Sequence, residues 1–259
     1  MIAYPNVKVN LGLIVLRKRP DGYHDLETLF FPCLDIHDTL EIIAGDDFSR
    51  TSASLFERYS GDAAQIRQGI REDGKVMITI ARKEGVDWEP LVDLTVRAYG
   101  LLDEEFGLPP VKIFLEKTAP VGAGLGGGSA DAAFALKMLS ELFALGLDAA
   151  ALAARAARLG SDCAFFVYNR PMLGTGRGEV LEPSDIDLSQ FEMRVEVPAG
   201  VSVSTADAYR GIVPREAAAA GHACPLREAL SRPVAEWRDL LVNDFEATVC
   251  AKYPVSAEA

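Results

Sequence analysis

The stretch that most restricts this chain is the passage from "VKIFLEK" (111–117) into "KTAPVGAGLGGGSADAAFALKMLSELF" (117–143), where five glycines occupy the seven positions 122–128. The residues before them have the pattern of a strand. After them Ala132, Leu136, Leu139 and Phe143 recur on one face of a helix. Strand, glycine loop and helix N-terminus in that order bind anions: glycines let a ligand approach the backbone, several N–H groups point the same way, and the helix dipole adds partial positive charge. A phosphate is the guest this arrangement fits best. A flexible connector is the bland alternative, and it fits poorly between a strong strand and a strong helix with Ser129 and Asp131 in its first turn.

Three kinds of phosphate loop compete. A Walker A loop needs Lys-Ser/Thr after its last glycine, and reading from Gly122 puts Gly128 where that lysine should stand. "GAGLGG" satisfies the spacing of a dinucleotide-binding turn, but that fold requires a strand ending in an acidic residue about 20 positions on. Here "LDAAALAARAARLG" supplies a second helix, capped at Asp148 and stopped at Gly160, which makes an oxidoreductase the weakest reading. The third pattern is met by Pro120, Gly124, Leu125, Gly126, Gly127, Gly128, Ser129 and Ala130, with Gly122 inside it. It resembles the loop of the GHMP small-molecule kinases, which wraps the triphosphate of ATP.

Around the loop the chain has an α+β pattern. "KVNLGLIVL" (8–16), "LETLFFPCL" (26–34) and "DTLEIIA" (38–44) suit strands, while Leu94, Ala98, Leu101, Leu102 and Phe106 keep helical spacing up to a stop at Gly107. "DCAFFV" (162–167), "MLGTGRGEVLEP" (172–183) and "FEMRVEVP" (191–198) suggest strands and turns, the last opening a second α/β unit near residue 190. Residues 45–75 are polar and without period, and a long loop or insertion is expected there. At 259 residues and 49% hydrophobic the chain can bury a substantial core. A formal charge of −12 argues against nucleic acid as a partner, because duplex binding displaces counterions with a cationic surface; cations for an anionic ligand must be gathered locally. No apolar run approaches the roughly 18 residues of a membrane span and no signal-peptide pattern opens the chain, so no membrane partner and a cytoplasmic location are expected. Cys33, Cys163, Cys224 and Cys250 form no CxxC pair, and with His24, His37 and His222 they make no zinc pattern. Reduced thiols are expected, and no metal-ligating residues are assigned.

Phosphoryl transfer asks a protein for positioning, charge neutralisation, Mg²⁺ and often a carboxylate near the attacking hydroxyl. Lys8, inside the apolar "VKVNLGL", and Asp162, in "LGSDCAFF", are the candidates; a solvated edge lysine and a helix-capping or turn aspartate are their bland readings. The landmarks "PNVKVNLGL", "DGYHDLETLF", "PVGAGLGGGSADAA", "LGSDCAFF", "GTGRGEVLEP", "VPAGVSVST" and "NDFE" followed by "YP" occur in order over almost the whole chain. Together they resemble the branch of the GHMP kinases whose acceptor is 4-diphosphocytidyl-2-C-methyl-D-erythritol. "DGYH" with the "GLGGGSADAA" loop separates that branch from mevalonate and homoserine kinases.

The resemblance implies a two-lobed GHMP kinase fold, with a ribosomal-protein-S5-like N-terminal lobe over 1–165 and a ferredoxin-like C-terminal lobe over 166–259. It implies ATP and Mg²⁺, with the glycine loop on the ATP phosphates and Ser129 a contact to metal or phosphate. Asp162 aligns with the acceptor of the 2-hydroxyl proton and Lys8 with the lysine beside it. A carboxylate next to an ammonium is a weak base, so Asp162 would mainly orient the hydroxyl. Asn10 aligns with a polar residue of the substrate site, Tyr23 with a ring stacked on cytosine, His24 with a partner of the base edge, and Tyr209 with an aromatic on the base's other face. Without the resemblance, "GYH" would be a hairpin turn with an aromatic plug. Lys112 and Lys117 read better as solvated surface charges than as phosphate partners, and Arg177 stays open. Relatives of this kind carry, after "YP", a further helix and a glycine/serine-rich strand, whereas the sequence stops at "AKYPVSAEA", so a truncated C-terminal lobe is expected. Asp93 stands where asparagine is usual, an extra carboxylate expected to weaken ATP binding. Two rivals remain, a GHMP kinase for another alcohol and a catalytically impaired nucleotide-binding module, and the oligomeric state is open between monomer and homodimer.

Overall fold

A computed structural model describes residues 1–45, 57–59, 64–198, 201, 203, 205–214 and 225–254. The chain divides into two compact units that alternate along it: Met1–Val7, Leu34–Pro120 and Gly126–Tyr168 form one, and Lys8–Cys33, Val121–Leu125 and Asn169–Ala259 the other. The α+β class expected from sequence is the one observed.

Nine strands are described: β1 (Ile2–Ala3), β2 (Asn6–Lys18), β3 (His24–His37), β4 (Thr39–Ala44), β5 (Ile66–Ile70), β6 (Val76–Arg82), β7 (Val111–Lys117), β8 (Met172–Thr175) and β9 (Val180–Pro183). In the first unit a five-stranded sheet runs β1-β4-β7-β6-β5. Strand β7 lies between two neighbours, antiparallel to β4 from Ile42↔Ile113 outwards and parallel to β6 from Ile78↔Ile113 outwards. That central place explains its nearly continuous apolar run, buried at every position except Lys112. Parallel β6 and β7 need a crossover, and α1 (Leu94–Phe106) provides it. Asp93, the residue flagged as an extra carboxylate, is the N-cap of α1: its Oδ1 accepts the Thr95 N–H at 2.9 Å and the Thr95 hydroxyl at 2.7 Å. Gly107 closes the helix in the left-handed conformation, φ 64°.

Two helices follow β7. The first, α2 (Gly127–Leu142), buries Ala130, Ala132, Ala133 and Ala135, small residues that let it pack closely, together with Leu136 and Leu139. The second, α3 (Ala149–Leu159), starts as expected on the Asp148 carboxylate, which accepts the Ala151 N–H at 2.8 Å. Residues 162–167 are not strand and turn as the sequence suggested. Cys163–Tyr168 form the short helix α4, with Cys163, Ala164, Phe165, Phe166 and Val167 all buried. A short, wholly buried apolar run has no period by which strand and helix can be told apart. A second correction concerns the expected loop at 45–75. Residues 46–56 and 60–63 lie outside the described residues, but Ile66–Ile70 form β5, whose polar composition suits an edge strand that, among the described residues, pairs only with β6.

The second unit holds a four-stranded sheet in the order β2-β3-β8-β9, with β8 antiparallel to β3 through Thr28↔Gly174 and to β9 through Thr175↔Val180. The helices α5 (Thr205–Arg210), α6 (Leu226–Leu230), α7 (Trp237–Leu240) and α8 (Glu246–Lys252) complete it. Ile14, Leu29, Leu173, Leu226, Leu230 and Trp237 form its core cluster. Residues 191–198 make no strand, contrary to expectation: none of them is buried, so their alternation has no face to cover. The "NDFE" landmark docks on β2 instead. Leu13 and Asn243 form a parallel bridge, and Asp244 Oδ2 accepts the Val15 N–H at 2.7 Å.

Gly12 sits where β2 meets this docking. Its φ of 74° is left-handed, and a Cβ there would lie 2.5 Å from Leu226 Cδ1. The Leu226 methyl can move; the backbone conformation cannot be relieved so easily. Gly12→Ala is expected to destabilise the protein by about 1–3 kcal/mol, read as a lowered Tm in thermal unfolding; an unchanged Tm would show that the left-handed turn is dispensable.

Candidate active site

Strand β7 ends at Lys117, and the chain enters the glycine loop under the control of one carboxylate. Asp38 Oδ1 accepts the N–H groups of Thr118 and Ala119 at 2.7 and 2.9 Å. Gly122, Gly124 and Gly126 then take φ values of 76°, 74° and 75°. Nothing lies within 4 Å of where a Gly124 Cβ would stand, so what glycine supplies there is backbone conformation, not room for a neighbour. Within the second unit, the Leu125 carbonyl accepts the Lys8 N–H at 2.9 Å and the Gly122 carbonyl accepts the Val203 N–H at 3.2 Å. Helix α2 begins on Gly126, with no side chain capping it, and its first backbone bond is Ala130 N–H to the Gly126 carbonyl. The N–H groups of Gly127, Gly128 and Ser129 precede that bond, which is the arrangement in which a helix start receives an anion.

Lys117 departs most from expectation. It is buried, not solvated, and its ammonium lies between two carboxylates, forming a short pair with Asp38 and a 2.6 Å pair with Asp131 Oδ2. Burial opposes the charge on Lys117, and Asp131 and Asp38 overcome it, raising the pKa above the usual lysine value. Burial also pushes the Asp131 carboxyl well up, against the pull of Lys117. Sequence reasoning missed Asp38 altogether. Its only local signal is an acidic residue just before a strand, which a turn would explain equally well.

Lys8 is 4% exposed, so it is no solvated edge lysine. Its Nζ donates to Asn10 Oδ1 at 2.6 Å, Asn10 Nδ2 donates to Thr28 Oγ1 at 2.8 Å, and the Thr28 hydroxyl donates to the Gly12 carbonyl at 2.6 Å. The Phe30 ring covers the ammonium at 5.4 Å. This chain fixes both Lys8 and Asn10, and Thr28 is a member of it that the sequence did not single out. Asp162 belongs to the other unit, half-buried at the start of α4, where its carbonyl accepts the Phe165 N–H at 3.2 Å. The adjacent Cys163 thiol, pushed up to about 11 by burial, bonds the Ser129 hydroxyl, which brings the Asp162 segment and the first turn of α2 together.

The residues expected at a base lie in the second unit. Tyr23 is exposed, with the Arg177 guanidinium 4.8 Å from its ring centre. His24 and Tyr209 stack face to face, 4.7 Å apart and 12° from parallel, and Phe245 meets the Tyr209 ring edge-on at 4.9 Å. Burial, and then the nearby Lys18, lower the His24 pKa, which favours the neutral imidazole.

The family model of the GHMP kinases N terminal domain matches residues 93–170, the span from the cap of α1 through the glycine loop to α4. The fold and the loop are thus those of a GHMP kinase. A 4-diphosphocytidyl-2-C-methyl-D-erythritol kinase of Bacteroides fragilis is 43% identical over 258 residues, 100% of this chain and 82% of that protein. One of Parabacteroides distasonis is 38% identical, over 98% of this chain and 81% of its own length. A crystal structure of 4-(cytidine 5'-diphospho)-2C-methyl-D-erythritol kinase superposes with a TM-score of 0.65 at 28% identity, over 100% of this chain and 80% of that one. The chain belongs to the family of the 4-diphosphocytidyl-2-C-methyl-D-erythritol kinases.

Proposed function

We propose that this protein is a kinase that transfers the γ-phosphoryl group of ATP to the 2-hydroxyl of 4-diphosphocytidyl-2-C-methyl-D-erythritol, in the non-mevalonate formation of isoprenoid precursors. The observation that carries the reading is the glycine loop: three left-handed glycines lead into a helix whose first-turn N–H groups have no side-chain cap. The phosphates of ATP sit there, on Pro120, Gly122 and Gly124 to Ala130. The 2-hydroxyl oxygen attacks the γ-phosphorus in line, the bond to the bridging oxygen of ADP breaks, and the hydroxyl proton passes to Asp162. Lys8, held by Asn10, supplies positive charge to the reacting groups. Tyr23, His24 and Tyr209 hold the cytosine, where aromatic stacking contributes roughly 1–3 kcal/mol.

Mg²⁺ supplies charge neutralisation between phosphate oxygens in such reactions. Among the described residues no group of three or more His, Cys, Asp or Glu side chains is arranged to hold a metal. The Ser129 hydroxyl, on the first turn of α2, is the oxygen this chain would offer it. A cytoplasmic setting is part of the proposal, supported by the free thiols of Cys33, Cys163 and Cys250.

The test is ADP release from MgATP with and without the acceptor, with the product identified by mass spectrometry. Release that depends on 4-diphosphocytidyl-2-C-methyl-D-erythritol, and not on mevalonate or homoserine, is expected. Equal turnover with another alcohol would overturn the substrate, and ATP binding without turnover on any of them would leave a nucleotide-binding module.

A further inference from the structure

The loop rests on an ion cluster that the reaction above leaves without a part. Asp38, Lys117 and Asp131 are 0%, 6% and 1% exposed. Asp38 takes the two N–H groups by which the chain enters the loop and also takes the Lys117 ammonium. The same ammonium holds Asp131, on the helix by which the chain leaves it. A Cβ on Gly127 would lie 3.4 Å from Lys117 Nζ and 3.6 Å from Asp38 Oδ2, so the first residue of α2 rides directly on this pair. The cluster thus ties the two stems of the loop to each other.

It is a costly way to join two elements. Asp131 Oδ1 is buried with no hydrogen-bond partner among the described residues, and apolar side chains of similar volume often stabilise as well as a buried ion pair. What charge-assisted bonds add over apolar contact is direction. We infer that Lys117 and Asp131 are positioning residues for the nucleotide: they hold the loop stems so that the N–H groups of Gly127, Gly128 and Ser129 converge on phosphate, and they do not touch it themselves. The inference rests on reading the loop as the ATP site.

Asp131→Ala removes the tie, whereas Asp131→Asn keeps an oxygen for the Lys117 ammonium. Steady-state kinetics and calorimetric titration with ADP separate the two. Asp131→Ala is expected to raise the KM for ATP and the Kd for ADP about tenfold, with kcat and the KM of the acceptor unchanged, and Asp131→Asn to restore most of the loss. Adding Lys117→Met to Asp131→Ala is expected to raise the nucleotide constants by less than the sum of the two single effects, because the two substitutions share the Lys117–Asp131 pair. Unchanged nucleotide constants in Asp131→Ala would overturn the inference. So would additive losses in the double variant, which would make Lys117 a direct ligand. If variants lacking Lys117 fail to fold, the Asp131→Ala and Asp131→Asn pair decides by itself. Wild-type protein that binds ADP but does not turn over would sink the kinase reading, and the ADP constants would still judge the clamp.

Discussion

Asp162→Asn is expected to lower kcat by about 10²–10⁴-fold while the Kd for MgATP stays at its wild-type value. Asparagine keeps the shape of the side chain and cannot accept a proton. The Asp162 backbone carbonyl is bonded to the Phe165 N–H at the start of α4, and the substitution leaves that bond intact. The side chain is only half-buried, so the fold should barely respond. Acceptor-dependent ADP release together with ATP calorimetry checks both halves of the expectation. Turnover close to wild type would remove Asp162 from the chemistry, and a parallel loss of ATP binding would make it a nucleotide contact.

The largest effect on stability is expected at Lys117. Lys117→Met leaves Asp38 and Asp131 buried without their cation, an error that costs about 3–5 kcal/mol when one partner of a buried pair is removed. For a chain of this size that is a fall in Tm of roughly 6–20 °C. The pH dependence has a definite sign. Burial already raises the Asp131 carboxyl, and loss of Lys117 raises it further, so the folded state holds the proton more tightly than the unfolded chain does. That contribution is present at low pH and lost as pH rises through the raised value. The gap in Tm between variant and wild type is therefore expected to widen from pH 5 to pH 8 in calorimetric scans. A gap independent of pH would mean that lost packing, and not stranded charge, sets the cost.

Features carried by neighbouring residues were legible in the sequence. The stop at Gly107, the cap at Asp148 and the strand–loop–helix passage each depend on a few adjacent positions, and each stands where the pattern put it. The buried run of α4 had no period to read, and β5 is a strand by virtue of its partner β6, not by its own composition. The ion cluster was hidden for a different reason. Asp38 and Lys117 are 79 residues apart, and a lysine that ends a strand looks solvated until its partner is found. A still wider separation conceals the His24–Tyr209 stack, whose members the resemblance puts on the edge and the face of a base and not against each other. The roles of the individual site residues came from resemblance, and no local pattern in the chain supplies them.

The alternation of the two units along the chain bears on how the protein can be made and cut. Strands β2 and β3 emerge early, but β3's partner β8 follows only after the loop and helices α2 to α4 of the first unit have been synthesised. Neither unit is a continuous segment, so neither can be excised as one: a break after Pro120 would leave parts of both units on both fragments. A nick at that position would strike the glycine loop and the integrity of both units in one event.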